Sequence, residues 1–310
     1  MKRSLLIVTS LIILISVSVV FTSCSKKGKE AEKKKKTIGV SLLKENDDFY
    51  ITLKKGLREK AEKMGYAQLI LSANGDEMKQ DSNIDTLLIK KVEAIVICPV
   101  NSKGVGSIIK KASDRNIPVF TADIAAEEGR VVAHIASDNY QGGKIAAERM
   151  KKEIGKGMIA IVQIPGTESV SARVQGFVDT AKKLGLKIIE PYFNGKDDTQ
   201  EAERVTNSAI LKYKELKGVF AANDNMAEGA EQAIRSSGKD IVLIGYDAAP
   251  AAQEKIKAGG PWKADVIQYP YKIGEKTIET IDKYFKGELK ESEETLIVPV
   301  EVGMVDKESL

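Results

Sequence analysis

From Thr37 onward, short runs of apolar, strand-forming residues alternate with longer segments whose apolar positions recur every three or four residues. That alternation predicts βαβ units: parallel sheets with amphipathic helices packed on them. The runs place strands near 37–43, 67–72, 94–100, 118–123 and 133–137, with helices near 48–64, 78–91, 104–115 and 139–154. A second series places strands near 158–163, 187–192, 218–223, 241–247 and 264–268, with helices near 169–184, 199–213, 225–237 and 250–258. A last helix covers about 272–286, and a strand near 295–300 closes the chain. Two similar α/β halves predict two lobes with a cleft between them. Ser137-Asp138-Asn139 lies between the series without a long linker, so the lobes should be joined by short, hinge-like crossings.

Four of the runs stop at a side chain that holds several hydrogen bonds at once: Asp123, Asn223, Asp247 and Gln268. Ligands of open α/β sheets bind in the crevice outside the carboxyl ends of the strands, so these four are placed to line one pocket. Asp and Asn at such junctions also cap the next helix, an interaction worth about 1 kcal/mol. Gln268, ahead of Tyr269 and Pro270 where no cap is expected, favours the pocket. The pattern implies a small solute rich in hydroxyl groups. Its ring hydrogens would suit an aromatic wall, and in a chain with only 5% aromatic residues the adjacent pair Phe49-Tyr50 after the first strand is conspicuous. Neighbouring helical residues diverge by about 100°, so packing accounts for one of that pair more readily than for both.

At 310 residues the chain exceeds the comfortable size of one core. Its first 24 residues belong to neither lobe: Lys2 and Arg3 precede an apolar stretch from Leu5 to Val20, as in an export signal. The ending Phe-Thr-Ser-Cys resembles the lipobox of bacterial lipoproteins, which implies that Cys24 is the lipid-carrying N-terminus after cleavage; an ordinary signal peptide or short anchor is the alternative. Residues 25–36 carry seven Lys and two Glu and read as a solvated tether, about 40 Å long when extended. The tether contributes +5 and the signal +2 to the total of +4, which leaves residues 37–310 at −3. Basicity therefore sits outside the folded part, and nucleic acid is excluded as a partner.

Catalysis and metal binding have little support. His134 is the only histidine, in a strand where hydrogen-bonded structure is its usual role; without a second histidine a typical zinc set is not available, and no Ser-His-Asp set is seen. Cys98 sits in an apolar run as a small core residue, and with Cys24 lipidated no disulfide is available. Pro165-Gly166-Thr167 lacks the Gly-Lys-Ser/Thr ending of a phosphate loop. Trp262 precedes its strand, which puts it at the end away from the crevice and makes it a packing residue. The expectation is a non-enzyme without cofactor or metal.

Six segments, in order, look like the ribose-type periplasmic sugar-binding proteins, the pentose and hexose receptors of bacterial ABC importers. They are IGVSLLKENDDFYITLKKG (38–56), HIASDNYQGGKIA (134–146), GTESVSARVQGF (166–177), VFAANDNMAEGA (219–230), LIGYDAAP (243–250) and ADVIQYP (264–270). The resemblance implies the type I periplasmic binding protein fold: two Rossmann-like lobes with parallel sheets joined by a three-crossing hinge at Asp138, Gln268 and Val298. The N-terminal lobe would then be 37–137 plus 269–297, and the C-terminal lobe 138–268 plus 298–310. It also implies roles. Phe49 and Tyr50 stack on the sugar, Asp123, Asn223, Asp247 and Gln268 bond its hydroxyls, and Arg173 clamps two oxygens. Asp47 stands where the family commonly has Asn, and Asn194 or Phe193 would supply the wall near a third aromatic. Ribose binders normally follow the first aspartate with arginine; here Ile124 puts an apolar wall there, so a deoxy or keto sugar or a polyol suits the edge better than ribose. The implied partner is an ABC permease, served by a monomer tethered outside the cell membrane. A chemoreceptor or sensor kinase is the alternative partner, and a sugar-responsive repressor is excluded because no helix-turn-helix precedes the lobes.

Overall fold

A computed structural model describes residues 35–310. The signal segment, Cys24 and the tether up to Lys34 lie outside the described residues.

Chain order begins with β1 (Thr37–Leu42), α1 (Asp48–Lys63), β2 (Ala67–Ser72), α2 (Glu77–Ile89), β3 (Ala94–Ile97), α3 (Gly106–Ser113), β4 (Val119–Ala122) and β5 (Ala133–Ser137). It continues with α4 (Asn139–Ile154), β6 (Met158–Gln163), α5 (Glu168–Lys183), β7 (Lys187–Ile188), β8 (Phe193–Asn194) and α6 (Thr199–Lys212). Then come β9 (Leu216–Ala221), α7 (Asp224–Ser237), β10 (Val242–Asp247), α8 (Pro250–Ala258) and β11 (Trp262–Ile267). α9 (Pro270–Phe285), β12 (Leu296–Val300) and β13 (Gly303–Asp306) end the chain.

The first sheet has the order β12-β5-β4-β3-β1-β2 and is parallel throughout; the second runs β13-β11-β10-β9-β6-β7, with β8 also paired to β6. In the second sheet only the edge strand β13 is antiparallel, against β11. Strands buried along their length, such as Ile38 to Leu42 and Ile159 to Val162, sit between helices on both faces, as parallel sheets require. One core fills the second lobe, and two cover the two faces of the first sheet.

Two expectations are corrected. Val298 pairs with Ile135 in the middle of β12, so residues up to Val300 belong to the first sheet, and the third crossing falls at 301–302 rather than at Val298. β13 then adds a strand that the pattern did not predict, because four residues between Glu301 and Lys307 carry too little alternation to read as one. The expected strand at 187–192 is realised as two short pieces on either side of Pro191, which has no N–H to give to a ladder. Leaving the first sheet at Ser137, the chain crosses at Asp138, whose carboxylate caps α4 by accepting from Gln141 N at 3.0 Å.

The helix pair α4–α5 is drawn together at glycines. A Cβ on Gly143 would collide with the Arg173 carbonyl oxygen, and one on Gly176 with that of Tyr140. This close approach matters for function because α5 carries Arg173.

Candidate functional site

Between the carboxyl ends of the two sheets lies a cavity of about 590 Å³, within the range of small-molecule sites. Asp47, Phe49, Tyr50, Asp123 and Ile124 face it from the first lobe, and Arg173, Asn223, Asp247 and Gln268 from the second lobe and its crossing. Asn194 is not among its walls: the residue is exposed, and its Oδ1 accepts from Lys196 N at 2.9 Å in a turn. Phe193 packs partly buried against the second core instead. The wall expected from that loop is supplied three residues later by Asp197.

The first-lobe side is built on an aromatic pair at the start of α1. Asp47 caps this helix, accepting from Phe49 N at 3.0 Å. The Phe49 and Tyr50 rings meet edge-on with centroids 5.3 Å apart. Tyr50 is buried in the core and its hydroxyl donates to Asp123 Oδ2 at 2.5 Å, whereas Phe49 is only partly covered. Packing and pocket thus divide the pair unequally. Asp123 holds a left-handed backbone at φ 69°, a region that Asp tolerates better than most residues. Burial pushes its carboxyl up to about 6, against the pull of Tyr50 and Arg173.

On the other side, the buried Arg173 guanidinium is held from three directions. Its Nε donates to Asn139 Oδ1 at 2.9 Å, and Nη1 donates to the Ala222 carbonyl at 2.8 Å and to Asp247 Oδ1 at 3.3 Å. The group lies over the Tyr246 ring, 3.9 Å from its centroid. Burial opposes the charge, but Asp247 and its neighbours outweigh it and hold the Arg173 pKa above the ordinary value. Nη2 meets no acceptor among the described residues and remains available to a ligand. Gln268 Nε2 donates to Asp247 Oδ1 at 2.6 Å, while its Oε1 has no partner among the described residues. Burial raises the Asp247 carboxyl to about 6 even beside Arg173. Asn223 caps α7, its Oδ1 accepting from Met226 N at 3.0 Å, and its Nδ2 donates to Asp197 Oδ1 at 2.6 Å on the cavity wall.

Asp197 and Lys44 are the residues that sequence reasoning missed. Lys44 Nζ, just after β1, reaches across the cleft to Asp197 Oδ2 at 2.9 Å, and Asn225 Nδ2 also donates to Asp197. Burial alone would raise the Asp197 pKa; Lys44 and the two carboxamides hold it below the usual value. The only signal was the run Gly195-Lys196-Asp197-Asp198 before a helix, which reads as a cap, and Asp198 does cap α6. Trp262 also needs correction. It packs in the second core, but its indole runs along the sheet toward Gly245 and reaches the cavity wall. His134 is buried and hydrogen-bonded to Thr121 Oγ1 at 3.0 Å through Nδ1, away from the cavity. Among the described residues no group of His, Cys, Asp or Glu is arranged to hold a metal ion, and no helix is long and apolar enough to cross a membrane.

A family profile described as "Periplasmic binding protein domain" matches residues 38–289. The chain belongs to this family. It is 33% identical to the ribose import binding protein of Escherichia coli K12 over 279 residues, 88% of this chain and 92% of that protein. A solute-binding protein from Actinobacillus succinogenes 130z with bound D-allose superposes with a TM-score of 0.79 at 26% identity, covering 89% of this chain and 99% of the other. A solute-binding protein from Bacillus halodurans C-125 with bound myo-inositol superposes at 0.77 and 25% identity, over 88% and 95% of the two chains. The two-lobed architecture of this periplasmic binding protein is thus the type I fold of its relatives, which are transport binding proteins rather than enzymes.

Proposed function

We propose that this periplasmic binding protein captures a sugar or sugar-like polyol in the interlobe cavity and delivers it to an ABC permease. The observation that carries the reading is the convergence of Asp123, Arg173, Asn223, Asp247 and Gln268 on one cavity that also holds Phe49. A sugar presents hydroxyls that both donate and accept, and apolar patches of ring hydrogens. Carboxylates, carboxamides and a guanidinium satisfy several hydroxyls with few atoms, and the aromatic edge covers the patches. Contacts from both lobes exist together only when the lobes are closed, so the ligand shifts the population toward the form a permease recognises. Ile124, buried against the cavity, argues for a ligand with one fewer hydroxyl at that edge than ribose. The ribose, D-allose and myo-inositol of the relatives mark the chemical range.

A thermal-shift panel of pentoses, hexoses, deoxy sugars, polyols and nucleosides on the purified chain tests this. Ligand at 100 times its dissociation constant adds about 2.7 kcal/mol, which raises the melting point by roughly 5–10 °C. A panel on which nothing moves the midpoint refutes the sugar reading.

The protein acts as a monomer held at the outer face of the cell membrane by lipid on Cys24, with the Lys-rich segment as its tether. Cells expressing Cys24→Ser are expected to release the protein into soluble fractions, whereas the wild type partitions with membranes. Equal partitioning of the two would remove the anchor. Presentation to a chemoreceptor or sensor kinase is the second reading; gene neighbours encoding a sensor kinase without permease or ATPase would favour it.

A further inference from the structure

Away from the crossings, one ion pair joins the two lobes among the described residues. Lys44, two residues past the end of β1, sends Nζ to Asp197 Oδ2 at 2.9 Å, and both side chains stand on the cavity wall. Every other ion pair lies within a lobe or, for Lys272 and Glu301, at the third crossing.

The acceptor is set up by its own lobe. Lys196 and Asp197 both hold left-handed backbones, at φ 54° and 55°, a conformation that Lys adopts rarely. Asp197 Oδ1 accepts from Asn223 Nδ2 at 2.6 Å and from Asn225 Nδ2 at 3.0 Å, both at the start of α7 in the second lobe. These two bonds fix the carboxylate and leave Oδ2 for the first lobe. Burial works against the charge on Lys44, but the hydrogen bond to Asp197 and the charge of that carboxylate outweigh it and hold the lysine pKa above the ordinary value.

We propose that Lys44 and Asp197 form a latch across the cleft, an ion pair made when the lobes close that tightens binding and slows release of any ligand held between them. The latch goes beyond the sugar reading, and only its binding test rests on that reading. Lys44 moves with the first sheet and Asp197 with the second, so opening the hinge separates them. The pair is satisfied by protein atoms alone, which makes its contribution independent of the sugar's identity. With 39% and 28% of the two side chains exposed, it is covered more than an ordinary surface pair yet open enough to respond to salt. An uncharged sugar brings no charge to binding, so its affinity is indifferent to salt unless closure itself makes an ion pair.

Titration calorimetry with D-ribose, D-allose and myo-inositol, all uncharged, reads this effect. For each probe that binds, wild-type affinity should fall about threefold or more between about 20 mM and about 500 mM sodium chloride, mainly through faster dissociation. Lys44→Met and Asp197→Asn should each weaken binding about threefold to tenfold at low salt and flatten the salt dependence. Methionine keeps an apolar stem, and asparagine keeps an acceptor for the two carboxamides. The double variant should bind no worse than the weaker single one, because the second substitution has no pair left to break. Losses that add, or a salt dependence that survives both substitutions, would overturn the latch and leave the sugar reading intact. A second measurement needs no sugar. Carbodiimide condenses a lysine with a touching carboxylate, with loss of water, so a digest of the treated, ligand-free protein should yield the amide between Lys44 and Asp197 at low salt and much less of it at high salt. Absence of that amide would overturn the latch as well. If the amide forms while none of the three probes binds and the thermal-shift panel is silent, the sugar reading falls and the latch stands.

Discussion

Replacing Arg173 with alanine is expected to weaken binding of whichever sugar the panel identifies by at least about 100-fold and to lower the melting point of the ligand-free protein by roughly 10 °C. The first effect follows from the Nη2 fork, which no acceptor meets among the described residues. Two hydrogen bonds from a charged donor at about 1.5–3 kcal/mol each amount to at least a hundredfold in affinity. The second follows from what the guanidinium leaves behind. Asn139, the Ala222 carbonyl and Asp247 all lose a donor in a buried setting, and the Tyr246 face loses its cation. Removing one member of a buried ion pair costs about 3–5 kcal/mol, because the remaining charge is uncompensated. Arg173→Lys should fall between, since an ammonium keeps the charge but cannot serve several acceptors in one plane. Titration calorimetry and a melting curve on the same preparations check both effects. Wild-type affinity in the alanine variant would show that the ligand sits elsewhere.

Asp123→Asn is expected to do the reverse to stability. The folded-state pKa of Asp123 is raised to about 6, chiefly by burial, above the roughly 3.9 of an unfolded aspartate. Below pH 4 the carboxyl is neutral in both states and costs nothing. As pH rises, the unfolded chain releases its proton first, so the wild type loses stability between about pH 4 and 6 and stays at the lower value above that. Two units of displacement correspond to about 3 kcal/mol. Asparagine keeps an acceptor for the Tyr50 hydroxyl and has no proton to lose. The variant's melting point, relative to wild type, should therefore climb by roughly 5–10 °C between pH 4 and pH 7. His134, whose pKa burial lowers to about 4, adds its own slope to both proteins and cancels in the difference. The same substitution should weaken sugar binding at pH 7 by about tenfold or more, because the charged acceptor is gone. Parallel melting-point curves across this pH range would mean that Asp123 is solvated and not part of an enclosed site.

These two residues illustrate a division of labour that strand-end reasoning anticipated only in part. That Asp123, Asn223, Asp247 and Gln268 should share a crevice follows from their places at the carboxyl ends of parallel strands, and the structure brings all four to the cavity. Their partners were not legible. Lys44 and Asp197 are 153 positions apart and meet only because the two lobes face each other across the cleft. Asn139 reads as an ordinary first residue of a helix, yet it orients the guanidinium. Asn194 was misplaced because a short β8 and a turn with two left-handed residues, Lys196 and Asp197, shift the pocket wall three residues along the loop.

Hydrophobic periodicity and strand-end chemistry, both local properties of the chain, were enough by themselves to determine the alternation of strands and helices, the division into two α/β series and the polar residues that face the cleft. Only the tertiary structure decided where the third crossing lies, that a four-residue β13 exists, and that the indole of Trp262 reaches a cavity from the far end of its strand. The reason is physical. A strand of four residues is held by its neighbour's open edge rather than by its own pattern, and a side chain as long as tryptophan reaches atoms several residues beyond its own Cα. Partnerships across a cleft depend on the relative placement of two lobes, which no local pattern encodes.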